Sequence, residues 1–166
     1  MQGQIQKDNT SGRVHIQGNK IFWDVQGKNI LHIQINDIVI IGEYTNADGP
    51  HFDDWFITFV TKDRQWQSIP LYADNREILL DYLCDKFQPD FKEMLLIGSF
   101  EWNSLVRHPK HLRGKPLFKL TPTENYKEPK TFFDKILSST GLGSFDTTKY
   151  IDLTDEVKTE LTNACR

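Results

Sequence analysis

Between residues 13 and 71 the chain repeats a short run in which apolar and polar residues alternate, and a turn sequence follows each run. In the first run Val14 and Ile16 alternate with polar neighbours, and Gly18-Asn19 follows as a turn pair. Alternation of this kind predicts half-buried β-strands. Strands at about ten-residue spacing, joined by tight turns, predict an antiparallel meander that must curl or pack to protect its edges.

Further runs continue this pattern. Their apolar faces are formed by Ile21, Trp23 and Val25, by Leu31, Ile33 and Ile35, by Ile38–Ile41, by Trp55, Ile57 and Phe59, and by Trp66–Leu71. The run Ile38–Ile41 is apolar at every position, which is typical of a strand covered on both faces or of a bulged continuation of the strand before it. Residues 94–102 return to strand-like composition, so we predict one more strand there.

A change of apolar period predicts one amphipathic helix over residues 75–88. The side chain of Asp74 or Asn75 can cap its first turn, and Pro89 ends it. Its apolar face, at the i, i+3, i+4 and i+7 positions that share one side of a helix, is formed by Leu80, Leu83, Cys84 and Phe87. We expect this face to pack on the meander.

The C-terminal part of the chain contains two weaker helix signals. Pro129 suits the first turn of a short helix through Leu137, and a last helix is predicted from Thr154 with Val157 and Leu161 on one face. The predicted fold class is therefore α+β, an antiparallel β meander or barrel with a packed amphipathic helix and a helical C-terminal extension. We expect a disordered N-terminus over 1–11, a β-rich domain over 12–120, and a connector with packed helices over 121–166.

The order of a strand meander followed by one amphipathic helix resembles the pleckstrin-homology and GRAM-like superfold. The run Ile33-Gln-Ile35-Asn-Asp37-Ile38 is similar to an apolar-x-apolar-x-Asp-Ile run of bacterial members of that group. The resemblance covers about residues 13–88 and implies a PH-like fold. Lipid-binding members carry a basic first hairpin loop, whereas Gly18-Asn19-Lys20 offers a single Lys, so the resemblance does not imply phosphoinositide binding.

Residues 103–123, here called the basic island, contain no Asp or Glu although the whole chain has a net charge of −3. Pro109, Gly114 and Pro116 predict a loop there. The island can be a solvated or internally paired face, a docking site for an anion or a partner, or a nucleic-acid contact, and the acidic net charge disfavours the last. Its charged and titratable residues are Arg107, His108, Lys110, His111, Arg113, Lys115 and Lys119.

An acidic cluster complements the basic island. It consists of Glu43, Asp48, Asp53 and Asp54, on both sides of the predicted loop Asn46-Ala-Asp-Gly-Pro50. Adjacent carboxylates on an extended segment point to opposite faces, so turn formation and edge protection are their simplest roles. Trp55 follows directly, and because Trp is enriched among interface hot spots it is our candidate interface anchor.

No sequence motif indicates catalysis. The chain has no nucleophile elbow, P-loop or dinucleotide fingerprint, and Pro109 separates His108 from His111 in a way that disfavours a helical metal site. We therefore expect no catalytic residues, no cofactor and no metal. The N-terminus has no signal-peptide pattern and no run is long enough to span a membrane, so we expect a cytoplasmic protein.

The favoured function is a non-enzymatic protein-interaction module, with an inhibitor or immunity-type role as one form of it. The partner is expected to be a protein, and nucleic acid is not expected. The predicted contact residues are Asp48, Asp53, Asp54 and Trp55 in the acidic loop and Arg107, His108, Lys110, His111, Arg113 and Lys115 in the basic island. Two alternatives remain: a phosphate- or lipid-headgroup-binding barrel that uses the basic island, and an enzyme of unrecognised type.

Overall fold

The structure is a computed structural model that describes residues 10–46, 53–97, 99, 101–122 and 149–164. The chain divides into two compact units, one made of Met1–Leu117 with Asp155–Arg166 and the other of Phe118–Thr154. The predicted helix from Pro129 to Leu137 and most of the predicted disordered N-terminus lie outside the described residues.

The described residues form nine strands and two α-helices. These are β1 (Arg13–Gln17), β2 (Lys20–Val25), β3 (Lys28–Gln34), β4 (Ile38–Thr45), β5 (Trp55–Thr61), β6 (Trp66–Pro70), α1 (Arg76–Lys86), β7 (Asn103–His108), β8 (Phe118–Pro122), β9 (Lys149–Leu153) and α2 (Asp155–Ala164). This composition confirms the predicted α+β class.

All strand pairings among the described residues are antiparallel. In the first unit, β1-β2-β3 form a three-stranded meander, and β6-β5-β4-β7 form a four-stranded sheet. In the second unit, β8 pairs with β9. The strands of the described residues form open sheets and not a closed barrel, so the meander form of the fold prediction holds and the barrel form is wrong.

One apolar core joins both sheets of the first unit to α1. Its buried members include Val14, Ile21 and Ile33 from the first sheet, Ile41, Ile57, Phe59 and Ile69 from the second, and Leu79, Leu80 and Leu83 from α1. Cys84 and Phe87 are half-buried against the same cluster, which confirms the predicted helical face. Val157 and Leu161 are buried on α2, as predicted for the last helix.

The chain passes from the first sheet to the second through a single turn of 3-10 helix, Ile35–Asp37. Ile35 is buried while Asn36 and Asp37 stay exposed, so the polar interruption in the sequence is a corner between sheets. The backbone N–H of Lys62 donates to the carbonyl of Asp37 at 2.9 Å. This bond ties the corner to the β5–β6 hairpin.

Three local predictions are wrong. Residues 95–97 form turns and the next strand begins at Asn103, so the strand predicted over 94–102 is displaced towards the C-terminus. Arg107 and His108 belong to that strand, β7, and not to a loop. Asn75 stands at the start of α1 with a positive φ of 66°, and its side chain makes no capping bond there. Instead its amide donates to the carbonyl of Val14 at 3.0 Å.

Truncating the buried face of α1 should destabilise the fold strongly. Leu83 is fully buried in the core, so Leu83→Ala should lower the free energy of unfolding by about 2–5 kcal/mol. Ile78→Ala on the exposed side of the same helix is the matched control and should cost less than about 1 kcal/mol. Urea unfolding measures both, and equal losses for the two variants would contradict this packing.

Candidate functional site

A β-bulge in β7 directs Arg107 into the interior. Val106 pairs with Gly42 and His108 pairs with Ile41, so Arg107 is left as the extra residue between two paired neighbours. Bulges re-aim side chains in this way. Arg107 is 1 % exposed, which means that no partner can reach its guanidinium directly. The prediction that Arg107 belongs to a contact surface is therefore corrected by its burial.

The Arg107 guanidinium is surrounded by protein acceptors. One nitrogen donates to Oε2 of Glu43 at 3.0 Å. The other donates to the carbonyl oxygens of Phe91 at 2.7 Å and Glu93 at 2.6 Å, with a longer bond of 3.2 Å to Asp90. The cation also lies 5.1 Å from the centroid of the Phe91 ring, within the range of a cation–π contact.

Glu43 completes a buried ion pair. It is fully buried on β4, and its second oxygen accepts the backbone N–H of Leu96 at 2.5 Å. Burial raises the pKa of the Glu43 carboxyl, against the opposing attraction of Arg107 and the backbone bonds. Burial likewise lowers the pKa of Arg107, against the attraction of Glu43. Neither charge can be removed alone without leaving the other uncompensated.

The remaining cations of the basic island are largely bonded within the protein. Arg113 pairs with the carboxylate of Asp90 and donates to Glu93 at 3.0 Å. The other pairs are Lys115 with Glu156 at 2.9 Å and His111 with Glu160 at 3.0 Å. Lys110 makes no ion pair with any carboxylate that the structure describes. This arrangement supports the internally paired alternative for the island.

His108 is half-buried at the end of β7. Its ring packs edge-on against Phe87 with centroids 4.9 Å apart, and Nδ1 lies 3.3 Å from the side-chain oxygen of Gln88. Burial lowers the pKa of His108 below its usual value of 6.5.

The described carboxylates of the acidic loop accept hydrogen bonds from hydroxyl groups and form no ion pair with the basic island. Ser11 donates to Asp53 at 2.6 Å, and Tyr72 donates to Asp54 at 2.8 Å. The bond to Asp54 raises the pKa of the Tyr72 hydroxyl. Neither carboxylate forms an ion pair within the described part of the chain. Asp48 lies outside the described residues.

Trp55 carries the one buried side-chain polar atom that has no hydrogen-bond partner among the described residues, its indole N–H. Its side chain is half-buried and packs against the core. Trp55 also lines a cleft of about 230 Å³ together with Leu80, Met94 and Ile97, and the Ile97 side chain is 75 % exposed.

A second cleft of about 490 Å³ lies beside the first, because both are lined by Leu71, Arg76 and Glu77. Tyr72 and Ile78 line this second cleft and are exposed. The two clefts share those three lining residues, and Asp54 adjoins the larger cleft through its bond from Tyr72. We call the residues of both clefts, together with Asp54 and its neighbour Asp53, the Trp55 surface. Its members are Asp53, Asp54, Trp55, Leu71, Tyr72, Arg76, Glu77, Ile78, Leu80, Lys92, Met94 and Ile97.

Sequence reasoning finds the acidic rim and Trp55 but misses the opposite wall of the smaller cleft. Met94 and Ile97 belong to an apolar run whose composition predicts a strand. Tyr72 falls between two predicted elements, and Ile78 falls on the polar side of the predicted helix. The pattern alone gives no signal that separates an exposed apolar residue from a buried one.

Among the described residues no three His, Cys, Asp or Glu side chains are grouped so that they could hold a metal ion. No helix in the described ranges is both long and apolar enough to cross a membrane. Comparison of the chain with protein-family models, with curated proteins and with solved structures finds no match. The likeness to PH-like domains therefore stays a prediction.

Removing the buried cation should destabilise the protein far more than removing an exposed one. Arg107→Met leaves Glu43 buried without its counter-charge and the backbone carbonyls around it without a donor, so we expect a loss of about 3–5 kcal/mol. Lys110→Met in the same island is the control, expected to cost less than about 0.5 kcal/mol. Denaturant unfolding gives both values. A loss below about 1 kcal/mol for Arg107→Met would contradict the account.

His108 should make stability depend on pH. Because burial lowers its pKa in the folded state, the unfolded chain binds a proton at a higher pH than the folded chain does. The free energy of unfolding should fall as the pH decreases below 6.5, until the folded-state histidine also titrates. His108→Asn removes this contribution, so its profile between about pH 5 and pH 7.5 should be flatter than that of the wild type. Identical slopes would show that His108 is not shielded from water.

Proposed function

We propose that this protein is a non-enzymatic interaction module that binds a protein partner through the Trp55 surface. The observation that carries the proposal is the buried indole N–H of Trp55, which lacks an acceptor among the described residues and belongs to a side chain lining an apolar cleft. A buried donor without an acceptor costs about 1–3 kcal/mol. Because this N–H is shielded from solvent, a partner carbonyl reaches it only if the Trp55 side chain turns towards the cleft on binding, and the bond formed in that way would remove the cost.

The shape and composition of the Trp55 surface also suit a protein partner. Exposed apolar side chains lie on both clefts, Tyr72 and Ile78 on the larger and Ile97 on the smaller. Adjacent exposed apolar groups surrounded by polar residues are typical of interaction sites. Tryptophan and tyrosine are also among the residues most enriched in the energetic centres of interfaces.

The charges at the rim indicate which partner fits. Asp53 and Asp54 accept hydrogen bonds from hydroxyl groups and form no ion pair among the described residues, although Arg76 lies close enough to act electrostatically on Tyr72, the hydrogen-bond partner of Asp54. A partner that places Lys or Arg beside them would gain charge-assisted bonds and faster association. The proposed partner therefore presents an apolar side chain for the cleft and a basic group for the rim.

The phosphate- or headgroup-binding alternative has weaker support. Arg107 is buried, and Arg113, Lys115 and His111 already contact carboxylates of the same chain. An anion at the basic island would have to displace these carboxylates. An inhibitor or immunity-type role remains one form of the proposed module.

Site-specific crosslinking tests the proposal and captures the partner in the same experiment. A photoreactive benzoylphenylalanine replaces Ile97 in one variant and exposed Asn163 of α2 in the control. In native extracts the first variant should give a discrete protein adduct and the second should not. Charge reversal of Asp53 and Asp54 to Lys should abolish that adduct. Because both carboxylates are half-buried and accept hydrogen bonds from Ser11 and Tyr72, a urea melt checks that the variant is folded, and Asp53→Asn with Asp54→Asn, which removes the charges but keeps acceptors, is the second variant.

Once the crosslinked protein is purified, Trp55→Phe separates binding from folding. Phe keeps most of the apolar surface but lacks the N–H, so affinity should fall about three- to tenfold, the worth of one hydrogen bond. Stability should change little or rise, because a buried unpaired donor is removed. Full affinity in Trp55→Phe together with full affinity in the Asp53/Asp54 reversal would overturn the proposal.

A further inference from the structure

The first unit contains a further cleft, away from the Trp55 surface and between two strand edges. It has a volume of about 580 Å³ and is lined on one side by His32, Ile33 and Gln34 of β3 and on the other by Trp66 and Gln67 of β6. We call this cleft the seam. β3 is an edge strand of the three-stranded sheet, and β6 is an edge strand of the four-stranded sheet. An edge strand can pair with an added strand through its outward backbone groups.

The register of β3 shows which backbone groups face its free edge. Ile35 donates its backbone N–H to Asn19 at 3.0 Å, and Ile33 pairs with Ile21 in the same register. Residues 33 and 35 therefore direct their backbone groups towards β2. Since successive residues alternate in an antiparallel ladder, the N–H groups of His32 and Gln34 point away from β2 and into the seam.

The same reasoning applies to β6. The backbone N–H of Thr61 donates to Gln65 at 2.9 Å, and that of Leu71 donates to Trp55 at 2.9 Å. With the observed register, residues 65, 67, 69 and 71 bond to β5. Ser68 therefore directs its backbone N–H and carbonyl to the free edge, while Pro70, which has no N–H, limits how far an added strand could extend.

The corner between the sheets also lines the seam. There the Lys62 N–H bonds the Asp37 carbonyl and the two side chains pair at 3.8 Å. From there, the edges of β3 and β6 flank a cleft whose volume lies in the range typical of ligand sites, about 300–1,000 Å³. Lys20 also lines the seam and makes no ion pair with a described carboxylate. The two carboxylates on the same lining are already bonded, Asp37 to Lys62 and Asp63 to the Thr61 hydroxyl.

The geometry points to a second binding site, at which an extended peptide segment of a partner protein adds as a strand in the seam between β3 and β6. Backbone groups of the peptide bond the outward groups of His32 and Gln34, which both line the seam. The peptide carries an acidic side chain near Lys20, whose charge has no described counter-ion. An apolar side chain of the peptide packs on Trp66, which is partly exposed in the seam. This site is distinct from the Trp55 surface and does not depend on it.

One backbone position allows a sharp test. Gln34 has a φ of −78°, within the range that a proline ring imposes, and its N–H points away from β2. Gln34→Pro therefore removes an outward donor and places a ring at the edge without breaking a β2–β3 bond. Gln34→Ala is the matched control, because it loses the same side chain but keeps the N–H.

The probe is a phage library of random linear peptides selected on the wild-type protein. Enriched peptides are synthesised and their affinity is measured by fluorescence anisotropy. We expect Gln34→Ala to bind within about twofold of the wild type and Gln34→Pro to bind about tenfold or more weakly. Peptides N-methylated at alternate positions should lose binding to the wild-type protein, which tests strand addition even if Gln34→Pro fails to fold.

Several results would overturn the inference. Enriched peptides that bind Gln34→Pro as well as Gln34→Ala would place the site elsewhere. Peptides whose binding depends on Asp53 and Asp54 would belong to the Trp55 surface. Failure to enrich any peptide would show that the seam is closed to strands. If the protein dimerises with increasing concentration and Gln34→Pro abolishes this, the occupant of the seam is a second copy of this chain and not a partner peptide.

Discussion

The ion pair between Glu43 and Arg107 is the interaction on which the arrangement of this protein depends. Two opposite charges are removed from water almost completely, and each is then saturated by backbone groups of the segment 90–96. Desolvation works against both charges, so the pair adds little net stability compared with an apolar contact of the same size. Its importance is geometric, because it fixes an irregular segment that has no strand or helix to hold it.

That segment forms one wall of the Trp55 surface. Met94 and Ile97 line the smaller cleft, and the carbonyl of Glu93 and the N–H of Leu96 bond to the buried pair. Arg113 reinforces the segment from outside through Asp90 and Glu93. The basic island therefore acts mainly as an internal brace, whereas the proposed contacts with other molecules use the acidic rim and the seam between β3 and β6.

Much of the architecture could be predicted from sequence, because alternation of apolar residues marks strands that cover a core and a 3.6-residue period marks α1 and α2. The sequence predicts only part of the site. It places Arg107 on the surface, because nothing in a sequence reveals a bulge that turns one residue of a strand inward. The sequence predicts a strand at residues 94–97, because an apolar run that is buried beside a polar network has the same composition as one that is buried in a sheet. The sequence also could not predict which strand edges are free, because this depends on pairings between segments that are distant along the chain.

Amide hydrogen exchange in Arg107→Lys tests the central claim most directly. Lysine keeps the positive charge but cannot reach Glu43 and several carbonyl oxygens at once with a rigid fork. The account predicts faster exchange at Leu96, whose N–H bonds to Glu43, and at neighbouring amides of residues 91–97, while amides in the core of β5 such as that of Phe59 keep their protection. Unchanged protection at Leu96 would show that the ion pair does not hold this segment and would contradict the account.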